Sequence, residues 1–293
     1  MPSDDKARRE ATHAVLFPGQ GSHAAGMRET VGRFRPELLE AAEDALGADL
    51  FDRVEHSTAA AQPAVFCASL AGWHALRCPR GAYMTGHSLG ELAALVAAGS
   101  LAEAAGLDLA ALRGSLMQEA VDANPGCGML AVRAGAVDVG PIAARCGATI
   151  ANYNAPRQVI VSGRAEALDR VTAGLGGLGI RSKRLPVAGA FHSPYMRPAV
   201  ERYVAALAAT DFRPPTCTVL SSTTARPFEN VRSDLARSLT APVRWRETVL
   251  ALADAGVTTF HDVGPGRVLA GLVRRCVDGA HVETADELEA AHA

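Results

Sequence analysis

Residues 82–98 combine a strand signal, a glycine-flanked serine and a helix signal without a break. Ala82–Thr85 is a short apolar run that predicts a strand, and Leu89–Ala98, rich in Leu and Ala, predicts a helix. Between them, Gly86-His87-Ser88-Leu89-Gly90 fits the G-x-S-x-G nucleophile elbow, in which a strand turns sharply into a helix and exposes a serine hydroxyl. The backbone N–H after the serine and the positive end of the helix dipole would then stabilise an oxyanion.

The same run has a second, structural interpretation. Ser88 and Glu91 form the S-x-x-E pattern of a capping box, which closes the first turn of many helices before an apolar stretch. The motif therefore needs support from the rest of the chain.

The composition is typical of a globular protein. The 293 residues, 48% hydrophobic and 20% charged, suffice for one large domain or for a domain that carries an inserted smaller one. The net charge of −2 indicates no nucleic-acid or membrane partner, and no apolar stretch approaches the ~20 residues of a transmembrane helix. Residues 1–12 are charged and lack the apolar core of a signal peptide, so we expect a disordered leader.

The cysteines show no C-x-x-C motif and no paired spacing, and most lie among apolar neighbours. This pattern predicts the reduced core residues of a cytoplasmic protein rather than a disulfide framework. The His, Cys and carboxylate residues show no metal-ligand spacing, so no metal site is expected. The six cysteines are Cys67, Cys78, Cys127, Cys146, Cys217 and Cys276.

Short apolar strands alternate with helices along much of the chain, which indicates an α/β fold with a parallel sheet. Residues 125–188 instead show the β-α-β-β-α-β order of a ferredoxin-like unit, with its last strand at Ser182–Val187. We therefore predict a core formed by residues 13–124 and 189–282, with this small subdomain inserted between them. A tail at residues 283–293 is predicted to be a frayed helix.

A serine nucleophile requires a base, and three of the nine histidines are candidates for this role. His192 lies in a loop where the insert returns to the core, and such junctions form cleft walls. His87 adjoins the serine, but on an elbow its side chain is expected to point away from the reacting face. His261 lies near the end of a strand. Spacing alone does not decide among them.

Arg113 is predicted to point inward, because helical spacing places it on the apolar face of the stretch Leu107–Val121. A buried arginine is costly unless it meets an anion, and its guanidinium matches a carboxylate with two parallel hydrogen bonds. The partner is either an acidic substrate group or an internal Asp or Glu, and the sequence leaves both open.

Six motifs follow one another along the chain. They are Phe17-Pro18-Gly19-Gln20-Gly21-Ser22, Gly86-His87-Ser88-Leu89-Gly90-Glu91, Arg113-Gly114-x-x-Met117-Gln118, Gly189-Ala190-Phe191-His192-Ser193, Ala241-Pro242-Val243-x-Trp245 and Val263-Gly264-Pro265-Gly266. In this order they resemble the malonyl-CoA:acyl carrier protein transacylase family, which includes the acyltransferase domains of fatty acid and polyketide synthases. The resemblance runs from about residue 13 to about residue 278 and implies an α/β-hydrolase-like core with a ferredoxin-like insert.

The resemblance also implies roles for the matching residues. Ser88 would be the nucleophile and His192 its general base, in a dyad without an aspartate. The backbone N–H groups of Gln20 and Leu89 would form the oxyanion hole.

Three further residues would act around these groups. Arg113 would hold the free carboxylate of a malonyl group. Phe191 matches the residue of malonyl-selective polyketide acyltransferases, where a bulky ring leaves little room for an α-methyl; otherwise it only packs the domain junction. A main-chain carbonyl near Ser238 would orient the histidine, although the family often has Gln at this position.

The implied activity is ping-pong transfer of malonyl from malonyl-CoA to the phosphopantetheine thiol of an acyl carrier protein, without a cofactor and by a monomer. The chemistry is shared by fatty acid synthesis, polyketide synthesis and malonate decarboxylase loading, so the pathway stays open. A serine hydrolase or thioesterase is the alternative enzyme, and a carrier-docking module with a vestigial site is the non-catalytic alternative. Basic residues that either dock an acidic carrier or form a solvated face are Arg181, Lys183, Arg184, Arg267, Arg274 and Arg275.

Overall fold

The computed structural model describes residues 12–79, 81–187 and 189–285. The strands are β1 (Thr12–Phe17), β2 (Tyr83–Gly86), β3 (Cys127–Val132), β4 (Thr149–Ala155), β5 (Gln158–Arg164), β6 (Ser182–Arg184), β7 (Thr218–Ser221), β8 (Arg226–Pro227), β9 (Val257–Asp262) and β10 (His281–Thr284). The α-helices are α1 (Met27–Phe34), α2 (Pro36–Leu46), α3 (Thr58–Ala75), α4 (Gly90–Ala97), α5 (Glu103–Asp122), α6 (Ala136–Cys146), α7 (Ala165–Gly176), α8 (Arg197–Ala209), α9 (Val231–Ser238), α10 (Trp245–Asp254) and α11 (Val268–Cys276).

The larger sheet has the strand order β10-β9-β1-β2-β7-β8 and is parallel except for the β7–β8 pair. Val15 and Phe17 of β1 pack into one apolar cluster, whereas Ala14 and Leu16 pack into another on the opposite face. Because both faces are covered, β1 is a continuous apolar run. The register pairs Phe17 with Gly86, so the loops after β1 and β2 leave the sheet side by side. The predicted α/β fold with a mainly parallel sheet is confirmed.

The smaller sheet is antiparallel, with the order β4-β5-β3-β6. In the chain its elements follow the order β3-α6-β4-β5-α7-β6, which is the β-α-β-β-α-β order that the sequence predicts for residues 125–188. Helices α6 and α7 contribute to a third apolar cluster with residues of this sheet. Strand β6 ends at Arg184 rather than at Val187, and Pro186 lacks the N–H that a longer ladder requires.

Hydrogen bonds in both directions join the smaller sheet to the segment before α10. Tyr153 N donates to Val243 O, and Val243 N donates to Ala151 O, both at 2.8 Å. Residue 243 therefore pairs with β4 as a short parallel bridge.

The end of the fold differs from the sequence prediction. Glu283 and Thr284 lie in β10, which extends the edge of the larger sheet in parallel with β9. The helical tail predicted from residue 283 is therefore wrong at its start, because Val282 buries in an apolar cluster and the open edge of β9 supplies backbone partners. Thr12 likewise belongs to β1, while residues 1–11 and 286–293 of the predicted leader and tail lie outside the described residues. Within the described ranges, no helix is long and apolar enough to cross a bilayer.

Candidate active site

Ser88 lies at the sharp turn between β2 and α4, in the left-handed backbone conformation with φ 56°. The turn requires its flanking glycines. A Cβ on Gly86 would lie 1.9 Å from the carbonyl carbon of Gly90, and a Cβ on Gly90 would lie 2.0 Å from the carbonyl oxygen of Phe17. Strained conformations of this kind persist only where the surroundings hold them, and they cluster at functional sites. The run therefore folds as the elbow that its spacing predicts.

The capping-box interpretation of Ser88 and Glu91 is wrong, because no side-chain cap closes the start of α4. The Glu91 side chain is fully buried and turns instead toward the end of β7. Its Oε1 accepts hydrogen bonds from Ser221 Oγ at 3.0 Å, from Ser222 N at 2.7 Å and from Ser222 Oγ at 3.2 Å. Burial raises the pKa of Glu91 to about 7, and these hydrogen bonds act in the opposite direction.

Ser88 and His192 lie 104 residues apart in the chain, yet Ser88 Oγ is 2.8 Å from His192 Nε2. On the other side of the ring, Nδ1 lies 2.8 Å from the main-chain oxygen of Ser238 and 3.1 Å from that of Ala241. Because these oxygens only accept, Nδ1 carries the proton and Nε2 is left to accept from the Ser88 hydroxyl. The Ser238 side chain takes no part, since its Oγ donates to Leu235 O.

The His192 ring is buried, and the electrostatics around it favour the neutral form. Burial, the nearby charge of Arg113 and, to a smaller extent, His87 lower the pKa of His192 to about 3. A neutral imidazole is the form that takes up a proton.

We expect the His192 ring to stay neutral from about pH 8 down to about pH 5. A histidine with an ordinary pKa gains its proton near pH 6.5, whereas a pKa lowered to about 3 moves that step below this range. The measurement is an NMR titration of isotope-labelled histidine rings, with His192 assigned from the resonance missing in His192→Gln. A midpoint near pH 6.5 for that ring would contradict the expectation.

Arg113 lies on α5 and is 3% exposed. Its Nη1 donates to Gln62 Oε1 at 2.6 Å, and its Nη2 donates to Ser88 Oγ at 3.0 Å. Gln62 is fixed in turn by a contact of its Nε2 with Met117 Sδ at 3.2 Å. No carboxylate of the described residues lies within ion-pair distance of Arg113. Of the two partners that the sequence leaves open, the internal salt bridge is therefore not formed in the described chain.

Two backbone N–H groups beside the serine lack a partner: neither Gln20 N nor Leu89 N donates to an acceptor among the described residues. The loop that carries Gln20 lies directly against the elbow, since a Cβ on Gly19 would come within 2.3 Å of His87 O. The Gln20 side chain anchors this loop by donating to Thr58 Oγ1 at 2.8 Å. Backbone N–H groups without an internal acceptor are the kind of donor that a developing oxyanion requires.

Ser88 lies at a cavity of about 330 Å³ with walls from the loops that follow β1 and β2, from the smaller sheet and from α5 and α11. Phe191 lines this cavity next to His192, and its carbonyl accepts a hydrogen bond from Ser162 Oγ at 2.7 Å. The main chain at Phe191 is therefore hydrogen-bonded to β5 of the smaller sheet. Apolar neighbours in the cavity wall are Met117, Met129, Ile160, Leu185 and Leu272.

Sequence reasoning does not find the polar part of the wall, formed by His87, Asn152 and Asn154. His87 Nε2 lies 3.0 Å from Asn154 Oδ1 and 3.4 Å from Asn152 Nδ2. His87 thus lines the same cavity as Ser88, contrary to the expectation that it points away from the reacting face. The Asn-Tyr-Asn spacing was an available signal, because alternate residues of a strand share one face.

The remaining histidine candidate lies elsewhere. His261 lies on β9, where its Nε2 is 2.9 Å from Nδ1 of His13 on β1. Its Nδ1 is 3.1 Å from a carboxylate oxygen of Glu283 on β10. Across the described ranges, no group of three or more His, Cys, Asp or Glu side chains is arranged to hold a metal ion.

Residues from both predicted basic clusters line one surface groove of about 850 Å³, with Arg181, the residue directly before β6, and Arg275 from α11. Arg133 and Arg157 line it as well. Strands β3, β4 and β5 and helix α11 contribute residues both to this groove and to the cavity at Ser88. Arg184 is engaged differently, in an ion pair with Asp169 at 2.8 Å.

A parallel-sheet α/β protein with a serine–imidazole pair, unpaired amides and a buried guanidinium at one cavity is equipped for acyl transfer through a serine ester. Residues 15–290 match the acyl transferase domain family, and the chain belongs to that family.

Similar proteins carry more specific names. The malonyl CoA-acyl carrier protein transacylase of Salmonella typhimurium is 36% identical over 289 residues, which cover 90% of this chain and 93% of that protein. The solved structure of the malonyl CoA-acyl carrier protein transacylase from Coxiella burnetii has a TM-score of 0.87 at 32% identity and covers 96% of both chains. A malonyl-transacylase solved in complex with a type II polyketide synthase acyl-carrier protein has a TM-score of 0.86 at 31% identity, over 94% of this chain and 96% of that one.

Proposed function

We propose that the protein transfers a malonyl group from malonyl-CoA to the phosphopantetheine thiol of an acyl carrier protein, through a malonyl ester of Ser88. The observation that carries this proposal is Arg113, a buried cation that donates to Ser88 Oγ at 3.0 Å and forms no ion pair with a carboxylate of the described residues. Such a charge is stabilised by an acyl group that brings its own carboxylate. Malonyl is an acyl group of this kind, and the relatives above are malonyl transacylases.

In the first half-reaction, His192 Nε2 removes the Ser88 hydroxyl proton while Oγ attacks the thioester carbonyl of malonyl-CoA. The carbonyl oxygen becomes negative and receives hydrogen bonds from Gln20 N and Leu89 N. When the intermediate collapses, the carbon–sulfur bond breaks and the proton passes from His192 to the CoA sulfur. Malonyl-Ser88 and CoA are the products.

The second half-reaction runs through the same groups in reverse. The phosphopantetheine thiol of the carrier gives its proton to His192, and its sulfur attacks the ester carbonyl of malonyl-Ser88. Collapse of the intermediate returns the proton from His192 to Ser88 Oγ. No cofactor enters either step, since the acyl group moves between two thiols through one oxygen.

Arg113 couples the charge of the bound acyl group to the basicity of His192. In the free protein its positive charge opposes protonation of His192. A malonyl carboxylate paired with the guanidinium offsets that charge, so the bound substrate raises the proton affinity of the base that must act on it. An acetyl group lacks the carboxylate and leaves both the buried cation and the weakened base as they were.

The alternative enzyme is a hydrolase that uses Ser88 and His192 but releases the acyl group to water. A hydrolase of ordinary acyl chains has no need for a buried cation at the nucleophile. The vestigial docking module is disfavoured by the 2.8 Å contact between Ser88 Oγ and His192 Nε2, which a non-catalytic module does not require.

Substrate selection and docking complete the proposal. The Phe191 ring at the cavity leaves little room for an α-methyl, which favours malonyl over methylmalonyl by about 10- to 200-fold at most. The acidic carrier docks at the groove lined by Arg181 and Arg275, from which β3 and α11 lead to the Ser88 cavity. We place this activity in the cytoplasm and assign it to a monomer.

The proposal is tested by intact-protein mass spectrometry after brief mixing with malonyl-CoA, acetyl-CoA or methylmalonyl-CoA in parallel. We expect a malonyl adduct that passes to an added phosphopantetheinylated carrier, a weaker methylmalonyl adduct and little acetyl adduct. Free malonate and CoA without an adduct would favour the hydrolase instead. Equal adducts from malonyl-CoA and methylmalonyl-CoA would refute the role of Phe191.

A further inference from the structure

The backbone N–H of the nucleophile has a side-chain partner from a distant strand. Ser88 N donates to Ser222 Oγ at 3.3 Å, across 134 residues of sequence. The amide before it, His87 N, donates to Phe17 O at 2.9 Å. The left-handed turn at Ser88 is thus held on one side by β1 and on the other by the residue that follows β7.

The direction of the Ser222 hydroxyl is set by Glu91. Ser222 Oγ lies 3.2 Å from Glu91 Oε1, an oxygen that also accepts from Ser222 N and from Ser221 Oγ. All three groups at Oε1 are donors, so the Ser222 hydroxyl proton points to Glu91. A hydroxyl that donates in one direction keeps its lone pairs for an N–H on the other side, and Ser88 N occupies that side.

The groups of this arrangement are shielded from solvent, although Glu91 Oε2 has no hydrogen-bond partner among the described residues. The side chains of Glu91, Ser221 and Ser222 are fully buried, and Glu91 lies in the first turn of α4, where the helix dipole favours a carboxylate. A misplaced elbow would disturb several contacts at once, since Ser88 Oγ meets His192 and Arg113 and the next amide, Leu89 N, faces the oxyanion.

We infer that Ser222 is a positioning residue for the Ser88 nucleophile, with the buried Glu91 carboxylate holding its hydroxyl in the orientation that accepts the Ser88 N–H. The inference rests on the proposed role of Ser88. Ser222 touches neither substrate nor reacting atoms, so its loss lowers the reactivity of Ser88 and not the affinity for malonyl-CoA.

Ser221 is a matched control. Its hydroxyl also donates to Glu91 Oε1, at 3.0 Å, and it is as buried as Ser222. It accepts from Thr223 N at 3.2 Å and, unlike Ser222, forms no hydrogen bond with Ser88 in the described part of the chain. A merely structural role for the serine pair predicts the same result for both residues, whereas positioning of the nucleophile predicts an effect for Ser222 alone.

The experiment compares Ser222→Ala with Ser221→Ala in two assays. The first is steady-state malonyl transfer to a carrier protein, and the second is the rate at which phenylmethylsulfonyl fluoride labels Ser88, followed by intact mass. For Ser222→Ala we expect kcat and the labelling rate to fall about 10-fold, with KM for malonyl-CoA within about two-fold. For Ser221→Ala we expect both rates within about two-fold of the wild type, at a similar loss of thermal stability. Ser222→Thr, which keeps the hydroxyl, should restore most of the rate.

Equal losses in the two alanine variants, or a Ser222→Ala effect confined to KM, would overturn the inference. If Ser222→Ala does not fold, Ser222→Cys replaces it, because a thiol fills the same space but is a weak hydrogen-bond acceptor. The labelling assay needs no malonyl group. A wild-type protein that is labelled at Ser88 but takes no malonyl from malonyl-CoA would therefore refute the proposed function, while the ratio of labelling rates would still decide the role of Ser222.

Discussion

Malonyl transfer by Ser88→Ala is expected to fall at least about 10⁴-fold, and the malonyl adduct should disappear from the intact-mass spectrum. The reason is that the acyl group must be held covalently between the two thiols, and Ser88 Oγ is the atom that combines contact with the base at 2.8 Å and with Arg113 at 3.0 Å. The measurement is the rate of malonyl transfer to a carrier protein together with the mass of the protein after mixing.

A suitable control is Ser115→Ala, on the exposed side of α5, which should transfer malonyl at the wild-type rate. Ser88→Cys should still form an adduct, since a thiol in the same place is a nucleophile in its own right. Transfer by Ser88→Ala at an undiminished rate would show that the acyl group is carried elsewhere.

For Arg113→Ala we expect malonyl transfer to fall about 10²- to 10³-fold while acetyl transfer is unchanged or faster. The guanidinium offers the malonyl carboxylate charge-assisted hydrogen bonds in a buried setting, and its loss leaves that carboxylate unpaired. An acetyl group has no carboxylate to pair with the guanidinium, so its transfer does not depend on these hydrogen bonds. It also benefits because removal of the Arg113 charge raises the pKa of His192. The measurement is kcat/KM for malonyl-CoA and acetyl-CoA side by side.

Arg113→Lys is the companion variant, because it keeps the charge but not the two-pronged donor geometry. It should retain a preference for malonyl at a reduced rate. An equal loss for both thioesters in Arg113→Ala would mean that the arginine is structural, held by Gln62 rather than reserved for a substrate.

The elbow and the inward arginine were predictable because their signals are local. The G-x-S-x-G pattern lies within five consecutive residues, and a Cβ on Gly86 would meet Gly90 of the same run, whereas the atom that requires glycine at position 90 is the distant Phe17 O of β1. The orientation of Arg113 follows from helical periodicity alone. His192 was different, since spacing left it one of several candidates and only the resemblance to a family selected it. The closing of a 104-residue interval depends on the packing of both sheets, which no local pattern encodes.

Contacts through the backbone explain a departure from the family pattern. The main-chain oxygen of Ser238, and not its side chain, accepts from His192, so the side chain at this position is free to differ from Gln without loss of the contact. The capping-box interpretation of Glu91 fails for a related reason. Its partners, Ser221 and Ser222, lie 130 and 131 residues away, at the end of β7 and directly after it, and no local pattern encodes such distant contacts.

Residues 238–243 bear on how parts of such proteins can be exchanged. At one end of this stretch, the oxygens of Ser238 and Ala241 orient the base. At the other end, Val243 is hydrogen-bonded in both directions to β4 of the smaller sheet. Consider a chimera that takes a relative's insert to change the choice of carrier, with junctions only at residues 125 and 188. Its foreign β4 would pack against the native residues 238–243, and any displacement of these residues would also shift the oxygens that orient the His192 ring. An exchange that preserves these contacts therefore includes the insert together with residues 238–243.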